Sequence, residues 1–554
     1  MIAMNLKTRN PRRTVVQPVV ALAFTVLAGW LAASAQTGPY FQPGNLVVSR
    51  SIYDNNPNNV KVGMTLPPGC ARTTGGCSGP ATYDGTYPYV WNNDLVDGSF
   101  GITSAIFLDQ LTPAGTLVNS LQVPNSLNYS DTSDGLVTSF SSKSELALNL
   151  STNGKYLTFM GYVTSIDAVD VSNSNTPAEV DPTNPVGENL YRAIAQADKN
   201  ANFHFTLTNA YSGNNGRAAI LNDSGGVNLL YTAGNAGNGG SPQPDGIIIG
   251  AGAQIMTPVM RPEIEQRPGP PTPVASFNIT QLGDKPDKIG KDTNFRGLTI
   301  FNNVLYYSKG SGGNGVNTIY FVDPTVTVCN DANGVGLPPA GATLPLSPLA
   351  YDPTVLQTMG LDPNNMCVLN GLPTTLKSKT SYPFGIWFAD ANTLYVADEG
   401  NGDNTYDSSS GVYTGAAAQT TAGLQKWTFD SSTSTWSLAY VLQAGLALGV
   451  PYTIAGYPTG DNSATGLPWA PATDGLRNIT GVDNGDGTAT IYVITSTVSG
   501  NGDQGADPNE LVTITDTISA TSPPSGESFT ILETAANLEV LRGVSFTPGT
   551  HVAH

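Results

Sequence analysis

The sequence predicts an all-β chain that folds as a single β-propeller of six blades, with seven as the alternative count. The ring is expected to close by the C-terminal strand completing the N-terminal blade. Three observations carry this. A hairpin unit recurs along the chain, nothing between strands reads as a long amphipathic helix, and the two ends look like complementary parts of one blade.

The recurring unit is a short apolar strand, a tight turn of Asn, Asp or Gly, and a second strand rich in Tyr and β-branched residues. Its copies pair Leu146–Leu150 with Tyr156–Tyr162, Arg217–Leu221 with Leu229–Ala233, and Arg296–Phe301 with Val304–Lys309. Phe384–Phe388 with Thr393–Asp398 and Arg477–Val482 with Ala489–Thr495 complete the set. Asn, Asp and Gly tolerate the positive φ that such turns require. Two copies extend to sets of four. One is Phe384–Phe388, Leu394–Ala397, Leu424–Phe429 and Trp436–Leu442; the other is Ile479–Val482, Ile491–Thr495, Leu511–Thr515 and Phe529–Leu532.

The ends suggest how the ring closes. Leu46–Ser49, Ala105–Leu108 and Leu117–Val123 look like three strands without a first, and Leu538–Phe546 looks like a first strand with nothing after it. Joining them removes a sheet edge and ties the termini together. Copies start roughly every 70–90 residues, longer than a minimal blade of about 40–50, so loops are inserted. The longest insertion, 324–381, is also where a degenerate seventh blade has room.

Residues 1–35 read as a signal peptide. Lys7, Arg9, Arg12 and Arg13 precede the apolar run Val19–Leu31 and the small residues Ala33-Ser34-Ala35. The mature chain, 36–554, is expected to be secreted or periplasmic, with no membrane insertion after cleavage, and to be a monomer. Four cysteines in an exported chain point to disulfides, most economically Cys70–Cys77 and Cys329–Cys367. Net charge is −18, with 24 basic and 42 acidic residues, which disfavours nucleic acid as a partner.

Leu394-Tyr395-Val396-Ala397-Asp398-Glu399-Gly400-Asn401 resembles the Tyr-Val-Ala-Asp-x-Gly-Asn core of NHL repeats, and the style of blade is similar to that of the SMP-30/gluconolactonase-like group. The resemblance spans one blade, two at a looser match. It implies a six-bladed ring. NHL domains mostly bind partners, whereas the second group contains calcium- or zinc-dependent lactonases. The metal ligands of that group have no residue-by-residue match here.

Three histidines, His204, His551 and His554, leave little for a Ser-His-Asp or Cys-His hydrolase. Asp398, Glu399 and Asp403 in one loop, and Asp483 and Asp486 in another, are candidate calcium ligands; hairpin-turn chemistry is the competing reading. Arg217, Arg296, Arg477 and Arg542 each fall near the start of the presumed innermost strand, with Phe384 in the fifth copy. Equivalent positions would line one mouth of the central channel and offer guanidinium forks to a carboxylate or phosphate. The competing reading is that each arginine locks neighbouring blades. Loop aromatics, Tyr83, Tyr87, Tyr89 and Trp91 with Tyr452, Tyr457 and Trp469, either stack on sugars or seal loops. The expected function is non-catalytic binding of, or scaffolding for, a small ligand, glycan or protein. The alternative is a calcium-dependent hydrolase or lactonase.

Overall fold

A computed structural model of the chain describes residues 38–58, 85–95, 101–125, 135–180, 186, 188–235, 252–259, 294–310, 316–325, 327–328, 334–347, 365–375 and 378–551. Pro39–His554 forms one compact unit. The fold is all-β and propeller-like. Helix among the described residues is confined to short turns such as Tyr89–Leu95, Gln504–Ala506 and Thr414–Ala417, and no helix among them is long and apolar enough to cross a membrane. The signal-peptide expectation lies outside the described residues.

Every expected hairpin forms. The Asn302-Asn303 turn sits at φ 48° and 58°, and Gly154 at 72°. These are left-handed conformations, which explains why Asn and Gly occupy them. The two sets of four are both present. Pro383–Asp390, Thr393–Asp398, Gly423–Asp430 and Thr435–Leu442 make one sheet; Ala472–Asp483, Thr488–Val498, Glu510–Thr517 and Thr530–Thr534 make another. At the ends, Glu539–Phe546 pairs antiparallel with Leu46–Ile52, which pairs with Thr103–Leu111, which pairs with Leu117–Gln122.

The sheets do not separate into six sets of four. Gly135–Ser139 bonds to Thr103–Leu111 on one side and to Tyr156–Thr164 on the other. It fuses the terminal set with Asn149–Leu150, Tyr156–Thr164, Arg192–Asp198 and Phe203–Thr208 into one nine-stranded sheet. The set Gly216–Asn222, Leu229–Gly234 and Ala253–Met256 shows three strands among the described residues. Within the long insertion, Met366–Leu369 and Val335–Gly336 extend the sheet of Phe295–Phe301, Val304–Lys309 and Thr318–Val322 to five. They do not form a seventh blade among the described residues.

The first strands of neighbouring sheets touch. Asn149–Leu150 packs on Glu539–Phe546 and on Gly216–Asn222; Phe295–Phe301 packs on Gly216–Asn222 and on Pro383–Asp390; Ala472–Asp483 packs on Pro383–Asp390 and on Glu539–Phe546. Glycine makes this approach close enough. A Cβ on Gly297 would stand 2.8 Å from the Phe384 carbonyl oxygen, and one on Gly385 2.5 Å from that of Arg477. On Gly543 it would stand 2.3 Å from the Leu146 oxygen and 2.8 Å from the Leu148 nitrogen. The obstructing atoms are backbone, so a side chain there forces two strands apart. Gly543→Val is expected to destabilise the chain by about 2–4 kcal/mol, the scale of core overpacking with backbone displacement. Urea melts read this directly, and an unchanged midpoint would contradict the packing.

Candidate functional site

The arginine phase read from the sequence is real. Arg217 and Arg296 stand second in their first strands and Arg477 and Arg542 mid-strand, and the four lie close enough to perturb one another. Burial, and then Arg296, holds the Arg217 guanidinium well below its ordinary value. Burial lowers Arg477, with Glu399 opposing and Arg296 adding to the effect. Burial brings Arg542 down to about 10, with Arg477 adding to it. Four guanidinium groups thus gather at one end of the first strands.

Several of their donors hold neighbouring sheets together. Arg217 Nε donates to Asn215 Oδ1 (3.1 Å), and its Nη1 donates to the Phe295 carbonyl (2.8 Å) and to Asn294 Oδ1 in the next sheet. Glu399 receives Arg296 Nη2 and Arg477 Nε, each at 3.4 Å, and so bridges three sheets. Phe384 lies beneath the Arg296 guanidinium, 5.7 Å from ring centroid to Cζ. Arg542 differs. Its Nη1 donates to the Ser142 carbonyl, but its buried Nε and Nη2 have no hydrogen-bond partner.

The acids around this mouth are shaped by burial. Asp474 accepts from Gly402 N (2.9 Å) and from Gln419, yet desolvation pushes it up to about 7. Asp503 is raised by burial against the opposing pull of Lys143. Asp507 is pushed up to about 7 by burial. Glu145 is buried and accepts from Tyr162 OH (2.6 Å), Thr138 Oγ1 (2.7 Å), Ser139 N (3.0 Å) and Asn215 Nδ2 (3.3 Å).

The opposite end of the first strands mixes apolar side chains with Asn149, Thr152, Thr299, Thr480 and Ser545. Leu148, Ile220, Ile300, Trp387, Ile479 and Phe546 line a cavity of about 60 Å³ there. The contrast between the two ends is visible in the sequence: four of the six first strands carry an arginine, and Ile220, Ile300, Ile479 and Phe546 follow it by two to four residues.

The acidic candidates do not assemble. Asp398 and Glu399 lie at the arginine end. Asp398 is occupied by Ser381 Oγ (2.8 Å), Tyr382 N (2.7 Å), Gly400 N (3.0 Å) and Gln425 Nε2 (2.9 Å), and burial pushes it up to about 6. Asp403 is exposed and accepts from Thr405 N and Oγ1 at 3.0 and 2.6 Å. Asp483 and Asp486 stand in the exposed hairpin turn at the other end of the Arg477 strand, bonded to Gly485 N (2.8 Å) and Thr488 N (3.0 Å). These are turn-forming bonds. No group of three or more His, Cys, Asp or Glu placed to hold a metal occurs among the described residues.

The loop aromatics seal rather than open. Tyr87, Trp91, Tyr457 and Trp469 are buried in one cluster with Tyr53 and Phe140. Tyr89 packs on Trp469 at 4.7 Å and Tyr87 on Tyr457 at 6.0 Å. Tyr83 lies outside the described residues. Cys367 is buried in Met366–Leu369, while Cys70, Cys77 and Cys329 lie outside the described residues. His204 is on an outer strand, away from the arginines. Sequence reading missed Glu145 and Asp474, and read Asp503 only as part of a calcium-like loop. A legible signal existed: Asn215-Gly216-Arg217 and Asn294-Phe295-Arg296 both place Asn two residues before the arginine, and Asp474 stands three before Arg477.

No protein-family model matches the chain, and no curated protein is similar to it. Solved structures are similar at low level. An ulvan lyase of polysaccharide lyase family PL25, bound to -[GlcA(1-4)Rha3S]-, is 11% identical, over 80% of this chain and 90% of that one, with a TM-score of 0.29. The hemagglutinin-neuraminidase of parainfluenza virus 5 with the ligand DANA is 10% identical over 81% and 84%, TM-score 0.27. AztD of Citrobacter koseri is 7% identical over 82% and 99%, TM-score 0.23. At these TM-scores none bears on the site.

The raised acids fix the pH dependence of stability. Asp398, Asp474 and Asp507 keep a proton in the folded chain at pH values where the unfolded chain, at 3.8, has lost it. Their contribution is full below 3.8 and is lost as pH rises through about 6 to 7. The exposed turn aspartates Asp403 and Asp486 are lowered by hydrogen bonds and titrate below that window. The unfolding free energy is therefore expected to fall between about pH 4 and pH 7, by at most about 1.4 kcal/mol per pH unit for each group. Asp474→Asn should flatten the slope. Denaturant melts across pH check it, and stability rising with pH would contradict it.

Proposed function

We propose that this chain is an exported six-bladed β-propeller that binds an anionic group at its arginine mouth and works without catalysis, as a binding or scaffold protein. Six blades follow if the nine-stranded sheet is counted as two sets of four joined by Gly135–Ser139. The serial contacts among the six first strands, with Glu539–Phe546 beside Leu46–Ile52, support a closed ring. The basic and apolar run of residues 7–35 supports export, and a Cys329–Cys367 disulfide suits that compartment.

One observation carries the binding reading. Arg542 is buried, yet its Nε and Nη2 are unpaired. A buried guanidinium normally satisfies its donors, and leaving them unpaired is costly. Nε and Nη2 form one edge of the fork that receives a carboxylate or phosphate bidentately. Around it, three further arginines face two glutamates, while Asp474 and Asp503 are pushed toward their neutral forms. The mouth is locally positive in a chain of net charge −18, a contrast that attracts anions to one place. A carboxylate of a small ligand, an acidic glycan or a protein side chain fits that chemistry. The hydrolase reading loses ground because Glu399 is paired with arginines.

Thermal melts with phosphate, citrate and glucuronate, against chloride at matched ionic strength, test this. An anion held at 100 times its Kd should add about 2.7 kcal/mol to stability. Arg542→Lys keeps the charge but loses the fork and should abolish the shift. An equal shift in the variant, or none in the native chain, would contradict the proposal.

A further inference from the structure

Away from the channel, two neighbouring sheets meet through a buried cluster that anion binding does not use. Lys426 lies in the third strand of one sheet, Gly423–Asp430, and Asp516 in the third strand of the next, Glu510–Thr517. Both side chains are 0% exposed, and Lys426 Nζ stands 2.9 Å from Asp516 Oδ2. Their partners Tyr395 and Tyr440 belong to the apolar core of Leu424, Ala489, Ile491, Ile514 and Phe529. Nζ also donates to Tyr440 OH (2.9 Å) and to the Thr517 carbonyl (2.7 Å). Tyr440 OH donates to Asp516 Oδ1 at 2.6 Å, and Tyr395 OH donates to Oδ2.

A third ionisable group completes the cluster. Glu527 Oε1 accepts from Thr517 N and Oγ1, each at 3.1 Å. Its Oε2 is buried, receives no hydrogen bond, and stands against the Asp516 carboxyl. Burial first, then Asp516, pushes Glu527 up to about 7. Two carboxyls in contact need a proton between them, and Glu527 is placed to hold it.

A neutral amine is a nucleophile, and the carboxyl carbon lies beside it. The fold holds the pair at fixed separation, where effective concentration is high. The two tyrosine hydroxyls already donate to the two carboxyl oxygens, where an oxyanion would develop.

We propose that Lys426 and Asp516 react once, within the folded chain, to form an amide bond between Nζ and Cγ, with Glu527 carrying the protons. The amine lone pair forms the N–C bond, and one carboxyl C–O bond breaks. Two of the three ammonium hydrogens depart with that oxygen as water. Nothing is oxidised or reduced, and no co-reactant is consumed. The product ties two neighbouring sheets covalently across 90 residues of chain, which restricts the unfolded state much as a disulfide does.

Peptide mapping of the purified, reduced full chain after trypsin decides the matter. The expected finding is no cleavage after Lys426, with Thr380–Arg477 joined to Asn478–Arg542 in a species one water lighter than the two peptides together. Lys426→Arg and Glu527→Gln should each yield the unjoined peptides, and Glu527→Gln keeps both reacting groups in place. Free Thr380–Lys426 and Trp427–Arg477 from the native chain would overturn the proposal and leave a plain buried ion pair. A joined product in Glu527→Gln would overturn the role given to Glu527.

Discussion

Everything at the centre of this molecule depends on how closely the first strands of neighbouring sheets approach. Gly297, Gly385 and Gly543 sit where a Cβ would strike the backbone of the next first strand. Side chains on those strands have little room except along the axis. Arginine meets that condition at one end, because its long stem packs while its head reaches a carbonyl or carboxylate in the neighbouring sheet. Arg217 reaching Phe295, and Arg296 and Arg477 sharing Glu399, are consequences of the same close approach.

That arrangement concentrates positive charge where water is scarce, and the nearby acids respond. Asp474 and Asp507 are driven toward neutrality by burial, so they compensate little of the charge. Locking three arginines into sheet-to-sheet contacts builds a rigid frame around Arg542, whose Nε and Nη2 stay unpaired. A rigid cation with an unused fork is preorganised for an anion, since little side-chain ordering remains to oppose binding. At the far end Ile, Phe and Trp side chains narrow the space between the first strands to a cavity of about 60 Å³.

Much of the strand order was legible because hairpins are local. Asn302-Asn303 and Asn484–Gly487 declare turns through the φ values they tolerate, and flanking residues then set the register. The pairing of Glu539–Phe546 with Leu46–Ile52 spans nearly the whole chain, but it was legible from the likeness between Leu541–Phe546 and Phe295–Ile300. Gly135–Ser139 was not legible. It is five residues long, has no hairpin partner, and is defined by neighbours on both sides. Arginine phase located the guanidinium cluster, whereas Glu145 was hidden because it reaches the cluster from a loop outside the repeat. The turns at Asp403 and Asp483–Asp486 misled for the opposite reason: oxygen-rich loops that suit calcium also suit Asx turns.

The most direct test of the arginine mouth is to locate an anion there. Crystals grown with selenate, measured at the selenium edge, should give an anomalous peak within hydrogen-bonding reach of Arg542 Nε and Nη2, bounded by Arg477. Selenate at exposed lysines alone, with that edge of Arg542 turned onto protein oxygens, would show that the guanidinium cluster only fastens the sheets together.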